Sequence, residues 1–198
     1  MRSWLAQRRN QRRLALGTLT VAVGCFAQAL WIHAKAELAQ VLIESAWERT
    51  LARPAQAQKP WSWADTWPVA RLQWNEGGAT EDLYVLAGAT GNALAFGPGH
   101  MSDTAPIGAG ASVLAGHRDT HFAFLRELRH GSKLTLQNAD GKKFDYVVVD
   151  MEVKDSSAAP LTIDPASDSL TLVTCYPFDA SLPGGALRYV VTALPQEF

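Results

Sequence analysis

The stretch LTLVTCYPFD, residues 170–179, carries the strongest single indication of fold and chemistry in this sequence. Its first five residues are apolar or β-branched, which is typical of a strand buried on at least one face. The run ends at Cys175, and Pro177 follows two residues later. Because proline lacks the N–H that a central strand needs, the strand is predicted to end at the cysteine. A thiol therefore lies where a sheet gives way to a loop, a common position for reactive side chains.

Six further runs of this kind occur after residue 60, separated by turns rich in Gly, Pro, Asn and Asp. They are VARLQW (69–74), DLYVLAGA (82–89), ASVLAGH (111–117), KLTLQN (133–138), KFDYVVVDMEV (143–153) and LRYVVTAL (187–194). The pair Asp140-Gly141 predicts a hairpin between two of them, and HFAFLREL (121–128) is a short helical pattern. Many short strands with few helices predict a mainly β fold closed into a barrel, with a two-sheet sandwich as the alternative.

The N-terminal part of the sequence has a different character. Residues 1–13 contain five arginines, and LALGTLTVAVGCFAQALWI (14–32) follows without a charged residue. A helix of that length roughly matches the ~30 Å hydrocarbon core of a bilayer. Arginines before the run and none directly after it place the N-terminus in the cytoplasm and the rest outside. A cleaved signal peptide is the alternative, because Ala34-Lys35-Ala36 resembles a cleavage site.

A helix and a linker are expected to join this anchor to the β-rich part. Residues 33–51 repeat apolar side chains at helical spacing, and 52–60 contain two prolines and no large apolar residue. The predicted organisation is a cytoplasmic basic segment (1–13), a transmembrane anchor (14–32), a juxtamembrane helix and linker (33–60) and an exported domain (61–198).

The charge distribution excludes one class of partner. Residues 54–198 hold ten Lys or Arg and sixteen Asp or Glu, a net charge of −6, whereas residues 1–53 have a net charge of +5. Nucleic-acid binding depends on basic groups that neutralise phosphates. The acidic exported domain is therefore not expected to bind nucleic acid.

Three residues of the exported domain could act together. Cys175 is its single cysteine, and a thiol becomes a nucleophile when a base or a cation favours the thiolate. Among its histidines, His117 also ends a strand-like run. Arg188 begins the strand after Cys175, where an antiparallel pairing would let it stabilise an oxyanion or a thiolate. A buried apolar cysteine and a surface arginine are the structural alternatives.

No metal or other cofactor is expected. The set HRDTH (117–121) brings two histidines close in sequence, but no Cys or carboxylate cluster completes a site at the usual spacing.

These residues, in this order, resemble the sortase family. The family's cysteine motif, a strand reading T-L-x-T-C, stands here as TLVTC (171–175), and LAGHRDTHF and LRYVV hold His117 and Arg188. FGPGH (96–100) and LRELRHGSKLTL (125–136) also follow the family's order. The similarity covers about 69–194, and CYPF and GGALRYVV are most similar to the Gram-negative, proteobacterial sortases, which resemble class D more than class A.

The resemblance implies an eight-stranded β-barrel with short helices and a cysteine transpeptidase activity. Cys175 would be the nucleophile, His117 the general acid and base, and Arg188 the oxyanion or peptide contact. The substrate would be a secreted protein with an LPxTG-like C-terminal sorting signal, cleaved after threonine and transferred to an unidentified amine. The protein would lie in the inner membrane with its catalytic domain on the periplasmic side.

The stretch KDSSAAPLTIDPASDS (154–169) joins two strands just before the cysteine motif and is the loop best placed to read the Leu-Pro part of the signal. A plain solvated connection is the alternative. No acidic constellation matches the calcium site of some class A enzymes, so the resemblance adds no metal.

Two other functions remain open from the residues. One is a membrane-tethered binding module, or sortase-like domain, without catalysis. The other is an L,D-transpeptidase, but that family places His-Gly directly before the cysteine, whereas Val173-Thr174 precede Cys175 here.

Overall fold

The computed structural model describes residues 2–180, 182 and 184–196. The chain divides into two compact units, with the boundary after Val41. Helix α1 (Arg2–Ala52) makes up the first unit and continues into the second. From Leu14 onward this helix is long and apolar enough to cross a bilayer, a test of length and composition that signal sequences near an N-terminus also pass.

Helix α1 runs without interruption through the segments predicted as the anchor (14–32) and as the helix that follows it (33–51). The residues at the junction explain this, because HAKAE (33–37) contains good helix formers and no glycine or proline.

In the described part of the second unit, eight strands form a closed barrel in the order β1-β2-β3-β4-β7-β8-β6-β5. The strands are β1 (Pro68–Glu76), β2 (Ala79–Ala87), β3 (Gly99–His100), β4 (Ser112–Ala115), β5 (Lys133–Asn138), β6 (Lys143–Asp155), β7 (Leu170–Cys175) and β8 (Leu187–Pro195). Two short helices accompany them, α2 (Gly91–Leu94) and a 3-10 helix (Ala123–Arg126). The predicted eight-stranded barrel is confirmed, and the sandwich alternative is wrong.

Strand β3 and helix α2 were not predicted. β3 lies in the FGPGH stretch (96–100), outside the predicted strand-like runs, and it pairs parallel with β2 and antiparallel with β4. Two residues are too few for a periodic pattern. Gly99 is required there, because a Cβ on it would come within 2.2 Å of the carbonyl oxygen of Gly88.

The barrel interior is filled by apolar side chains that alternate along the strands. On β7, Leu170 and Leu172 are fully buried in this core, and on β8 Val191 and Ala193 are their direct partners. The residues between them on each strand therefore face the outside of the barrel. This alternation decides which side chains of β7 and β8 are available for chemistry.

The C-terminal part of α1 packs on the outside of the barrel within the second unit. Ile43 is buried against Leu86 of β2 and Ala93 of α2. The ring of Trp47 lies 6.4 Å from that of Tyr84. Burial, followed by the charge of Glu44, raises the pKa of Tyr84 to about 12, so this phenol stays neutral over the physiological range.

Candidate active site

Strands β7 and β8 bring two of the three predicted residues together. The strands pair antiparallel, and Cys175 and Arg188 are direct cross-strand partners at the end of the ladder. Direct partners point to the same face with Cβ atoms roughly 4.5–5.5 Å apart. Leu172 and Val191 face inward, and Cys175 and Arg188 each lie three residues from them along their strands. Because side chains alternate along a strand, Cys175 and Arg188 lie on the outer face of the barrel.

Strand β4 brings the third residue to the same level. It runs parallel to β7, with Ala115 opposite Val173. The Gly116 N–H donates to the Val173 carbonyl at 3.1 Å, and the buried Thr174 hydroxyl donates to the Gly116 carbonyl at 2.7 Å. These two bonds extend the pairing beyond β4, so His117 leaves the sheet level with Cys175.

All three side chains are reachable from solvent. His117 is exposed, and Cys175 and Arg188 are half-buried. Neither the Cys175 thiol nor the His117 ring makes a hydrogen bond in the part of the chain that the structure describes. The reading of Cys175 as a buried core side chain is therefore wrong, because the thiol is a free one on an outer face.

The chain around His117 is fixed from inside the barrel. The Phe122 N–H donates to the His117 carbonyl at 2.9 Å, and the Phe122 ring is fully buried. A Cβ on Gly116 would come within 2.8 Å of that ring, so the residue before His117 must be glycine for Phe122 to pack here. The backbone of His117 is thus held on both sides.

A second histidine lies beside the first. Burial lowers the pKa of His121 below its usual value, the positive charge of His117 lowers it further, and a hydrogen bond to the backbone of Ala95 partly opposes both. His121 therefore carries less positive charge near neutral pH than an ordinary histidine.

Part of the Arg188 guanidinium is hydrogen-bonded to backbone carbonyls just before it in the chain. Its Nη1 donates to the Gly185 carbonyl at 2.6 Å and to the Leu187 carbonyl at 2.9 Å. Its Nε and Nη2 groups have no partner among the described residues. A guanidinium has five N–H donors in a fixed fork, so this arrangement fixes its orientation and leaves donors for a substrate oxygen.

The sequence analysis missed Arg118. This residue is only 8% exposed, and its Nη2 donates to the carbonyls of Ala180 at 2.7 Å and of Leu182 at 3.2 Å. Both carbonyls belong to the loop that joins β7 to β8. Arg118 therefore ties the chain after His117 to the chain after Cys175. Its partners are backbone atoms, so no spacing of acidic residues pointed to it, and its place directly after His117 was the one available signal.

Aromatic rings stiffen the same loop. Phe178 packs against Tyr189 with 5.2 Å between ring centroids, and Tyr176 stacks on Tyr189 at 6.2 Å. The Arg126 guanidinium lies 5.6 Å above the Phe178 ring. The chain on the far side of Cys175 is thereby packed against β8 and against the 3-10 helix.

A cavity of about 240 Å³, called the side groove here, lies on the outer face that carries Cys175. Its floor comes from β6, β7 and β8, and its wall from the loop between β6 and β7. The lining residues include Leu161, Ile163 and Asp164 on that loop and Thr171, Val190 and Thr192 on the strands. Thr171 lies on the same face of β7 as Cys175, four residues before it, so an extended ligand could run from one to the other.

Among the described residues, no group of three or more His, Cys, Asp or Glu side chains is arranged to hold a metal ion. The side chains that this end of the barrel exposes at least partly to solvent include a thiol, an imidazole and a guanidinium.

The comparisons with known proteins agree with the fold. The family described as "Sortase domain" matches residues 78–196, and the chain belongs to the sortase family. The protein "Sortase D" of Bacillus subtilis (strain 168) is 35% identical over 113 residues. The match covers 56% of this chain and 56% of that relative, so the chain spans about half of its length.

Solved structures show the same fold. The Clostridium perfringens sortase D5 transpeptidase superposes with a TM-score of 0.60 at 19% identity, covering 81% of this chain and 99% of that one. Sortase E from Streptomyces avermitilis gives a TM-score of 0.51 at 30% identity, covering 66% of this chain and 88% of that one.

Proposed function

We propose that this protein is a membrane-anchored cysteine transpeptidase that cleaves an LPxTG-like sorting signal after threonine and transfers the protein to an amine. One observation carries the proposal above all others. Cys175 and Arg188 are direct partners on the outer face, and His117 leaves the neighbouring strand at the same level. The adjacent strands β4, β7 and β8 thus bring the proposed nucleophile, proton donor and oxyanion donor to the same end of the barrel.

The first half-reaction is acylation. The Cys175 thiolate attacks the carbonyl carbon of the signal's threonine, and the Nε and Nη2 groups of Arg188 donate to the oxyanion that forms. His117, as imidazolium, gives its proton to the leaving amine, the C–N bond breaks, and a thioester to Cys175 remains. A positioned acid of this kind contributes typically ~10²–10⁴-fold to the rate.

The second half-reaction reverses the flow of protons. The acceptor amine, having lost one proton to water, attacks the thioester carbonyl carbon. The C–S bond breaks, the sulfur leaves as the Cys175 thiolate, and His117 takes the second proton from the nitrogen. The enzyme returns to its starting ion pair, and the product holds a new amide bond.

The side groove is the proposed site for the Leu-Pro part of the signal. Its volume of about 240 Å³ suits two apolar side chains, and Leu161, Ile163 and Val190 supply apolar contacts. The polar atoms of Thr171 and Thr192 can bond the backbone of an extended peptide. In this proposal, the loop between β6 and β7 recognises the peptide and is more than a solvated connection.

The membrane anchor and its orientation belong to the same proposal. The large apolar side chains of residues 14–32 are exposed, among them Leu16, Val23 and Trp31. Such a surface suits lipid, and the arginines before it favour a cytoplasmic N-terminus. We propose an inner-membrane location with the barrel in the periplasm because CYPF and GGALRYVV resemble the corresponding stretches of proteobacterial sortases.

Intact mass spectrometry tests the proposal. The full chain in detergent micelles is incubated with a panel of LPxTG-like peptides and, separately, with a thiol-reactive peptide warhead. We expect a mass gain on Cys175 equal to the peptide up to its threonine, and none in Cys175→Ala. Labelling by the warhead alone would mean a reactive cysteine with a different recognition sequence. A folded protein that neither reagent labels would leave a binding module without catalysis.

A further inference from the structure

A second cavity, of about 400 Å³, lies at the mouth of the barrel and plays no part in the reaction described above. We call it the mouth pocket. It is formed by the end of β1, the middle of β2, the chain after His117 and the 3-10 helix, and it is lined by Trp74, Leu83, Thr120, His121, Ala123, Phe124, Arg126 and Glu127.

The topology places this pocket at the catalytic end of the barrel. β1 is antiparallel to β2, β2 is parallel to β3, β3 is antiparallel to β4, and β4 is parallel to β7. The strands β1, β4 and β7 therefore run in the same direction. Trp74, near the end of β1, lies at the same end of the barrel as Cys175.

Contacts on two sides connect the pocket to the catalytic loops. His121 lines the pocket and lies close enough to His117 for the charge of one to act on the other. Arg126 also lines it and lies over Phe178, three residues after Cys175. The side groove shares no lining residue with it. An acyl group in the side groove would leave the mouth pocket empty.

The lining of the pocket suits an ammonium group on an apolar stem. The Trp74 and Phe124 rings are stacked with 4.0 Å between centroids and form an aromatic wall. The Arg126 Nε donates to the Ala123 carbonyl at 3.0 Å, and its guanidinium covers Phe178, so this cation is already engaged. Glu127 is exposed and forms no ion pair within the described residues. A carboxylate beside aromatic faces attracts a cation by charge and by the ring quadrupole.

We propose that the mouth pocket binds the acceptor, a primary amine on a short apolar stem, with Glu127 pairing with its ammonium group. The inference rests on the proposed transpeptidase function and adds to it the site and the chemical class of the second substrate. The amine then approaches the thioester from the side of His117 and His121, opposite the bound sorting signal.

Partitioning of the acyl enzyme tests the pocket's role. The full chain in detergent is acylated with the sorting peptide, pentylamine is added, and the ratio of amide product to hydrolysis product is measured against amine concentration. Glu127→Gln keeps the shape of the side chain and removes its charge. We expect the amide-to-acid ratio to fall about fivefold, the size of a single solvent-exposed ion pair, while acylation and hydrolysis stay unchanged.

The matched control is Glu48→Gln, the same substitution at an exposed position of α1 outside the pocket. It should leave the ratio at its wild-type value. An unchanged ratio in Glu127→Gln, with acylation intact, would overturn the inference and leave the transpeptidase proposal standing.

A binding measurement separates the two proposals. Histidine rings are labelled with ¹³C, and the His121 signal is followed while pentylamine is added without any sorting peptide. Pentanol, which has the same stem and no charge, is the control ligand. We expect a saturable shift with pentylamine, weakened in Glu127→Gln, and a smaller one with pentanol. If the wild-type protein forms no acyl enzyme, a shift of this kind would still support an amine site, and its absence would overturn it.

Discussion

The two faces of strand β7 have different roles: one supports the core, and the other carries the side chain proposed for catalysis. Its inner face, with Leu170, Leu172 and Thr174, is buried in the barrel, and its outer face ends in the half-buried Cys175. The inner side chains contribute stability through apolar burial and, at Thr174, through a hydrogen bond to Gly116. The outer face carries the proposed nucleophile. Because a strand alternates with a period of two, one short segment can serve both purposes without one constraining the other.

The largest effect is expected at the tip of the outer face. Cys175→Ala should abolish acylation, because alanine has no sulfur with which to form the thioester. The free energy of unfolding should change by no more than about 0.5 kcal/mol, since the thiol has no hydrogen bond here. Mass spectrometry measures acylation and thermal unfolding by circular dichroism measures stability. A marked fall in melting temperature would show that this face also supports the core.

The inner face should show the opposite pattern. Leu172→Ala removes a fully buried side chain and should lower the free energy of unfolding by about 2–5 kcal/mol. Acylation per folded molecule, counted by warhead titration, should stay within about threefold, because the proposed catalytic side chains lie on the other face.

The matched control for Leu172 is its outward neighbour. Val173→Ala should cost about 1 kcal/mol in urea unfolding, the ordinary size for a half-buried position. Equal losses at the two positions would abolish the distinction between the faces.

Arg118 extends the comparison between buried and exposed positions, because it is buried and yet holds the loop that joins Cys175 to Arg188. Arg118→Met removes both donors to the loop between β7 and β8, and we expect the maximal acylation rate to fall about tenfold or more through misplacement of Cys175 and Arg188. The Michaelis constant for the peptide should change less than the rate. Arg118→Lys, which can reach one carbonyl, should recover part of the loss.

An exposed arginine serves as the reference for that series. Arg129→Met changes the same residue type just after the 3-10 helix and should leave acylation unaltered. A purely structural Arg118 would instead lower stability in Arg118→Met while sparing the rate per folded molecule.

The smallest expected effect is on the free energy of unfolding at acid pH, through His121. The pKa of His121 is lower in the folded protein than its usual 6.5, so the unfolded chain binds the proton more readily. The resulting stabilisation is present above pH 6.5, declines as the pH falls below that value, and is lost once the pH passes the folded pKa. His121→Gln should flatten this part of the profile in urea titrations taken across it. His130→Gln, at an exposed position, should leave the profile as in the wild type.

Much of the geometry of the proposed catalytic site could be predicted from the sequence. The alternation in LTLVTC and LRYVV predicted two strands, and their antiparallel pairing predicted that Cys175 and Arg188 share an end, which the register confirms. The hairpin at Asp140-Gly141 is also confirmed, since β5 and β6 pair directly across it. Such features are local, so a run of neighbouring residues contains the information.

The parts that could not be predicted depend on distant backbone. Strand β3 exists because two residues fit between β2 and β4, and nothing in FGPGH marks them as a strand. Arg118 binds carbonyls that lie more than sixty residues away, and every residue type offers a carbonyl. The mouth pocket draws on β1, β2 and the 3-10 helix, which no single motif connects.

The position of β8 has a consequence for the order in which this protein becomes active. β8 pairs with β7 on one side and with β6 on the other, so it is the strand that closes the barrel. It is also the last of the eight described strands in chain order, so it is synthesised after the other seven. The β4–β7 pair next to it is parallel and joins residues far apart in sequence, and contacts of that kind are typical of slow folding. Arg188 arrives with the closing strand, so the finished barrel and the completed reactive site form in the same event. Until β8 has paired with β7, the chain therefore holds a thiol without its arginine partner.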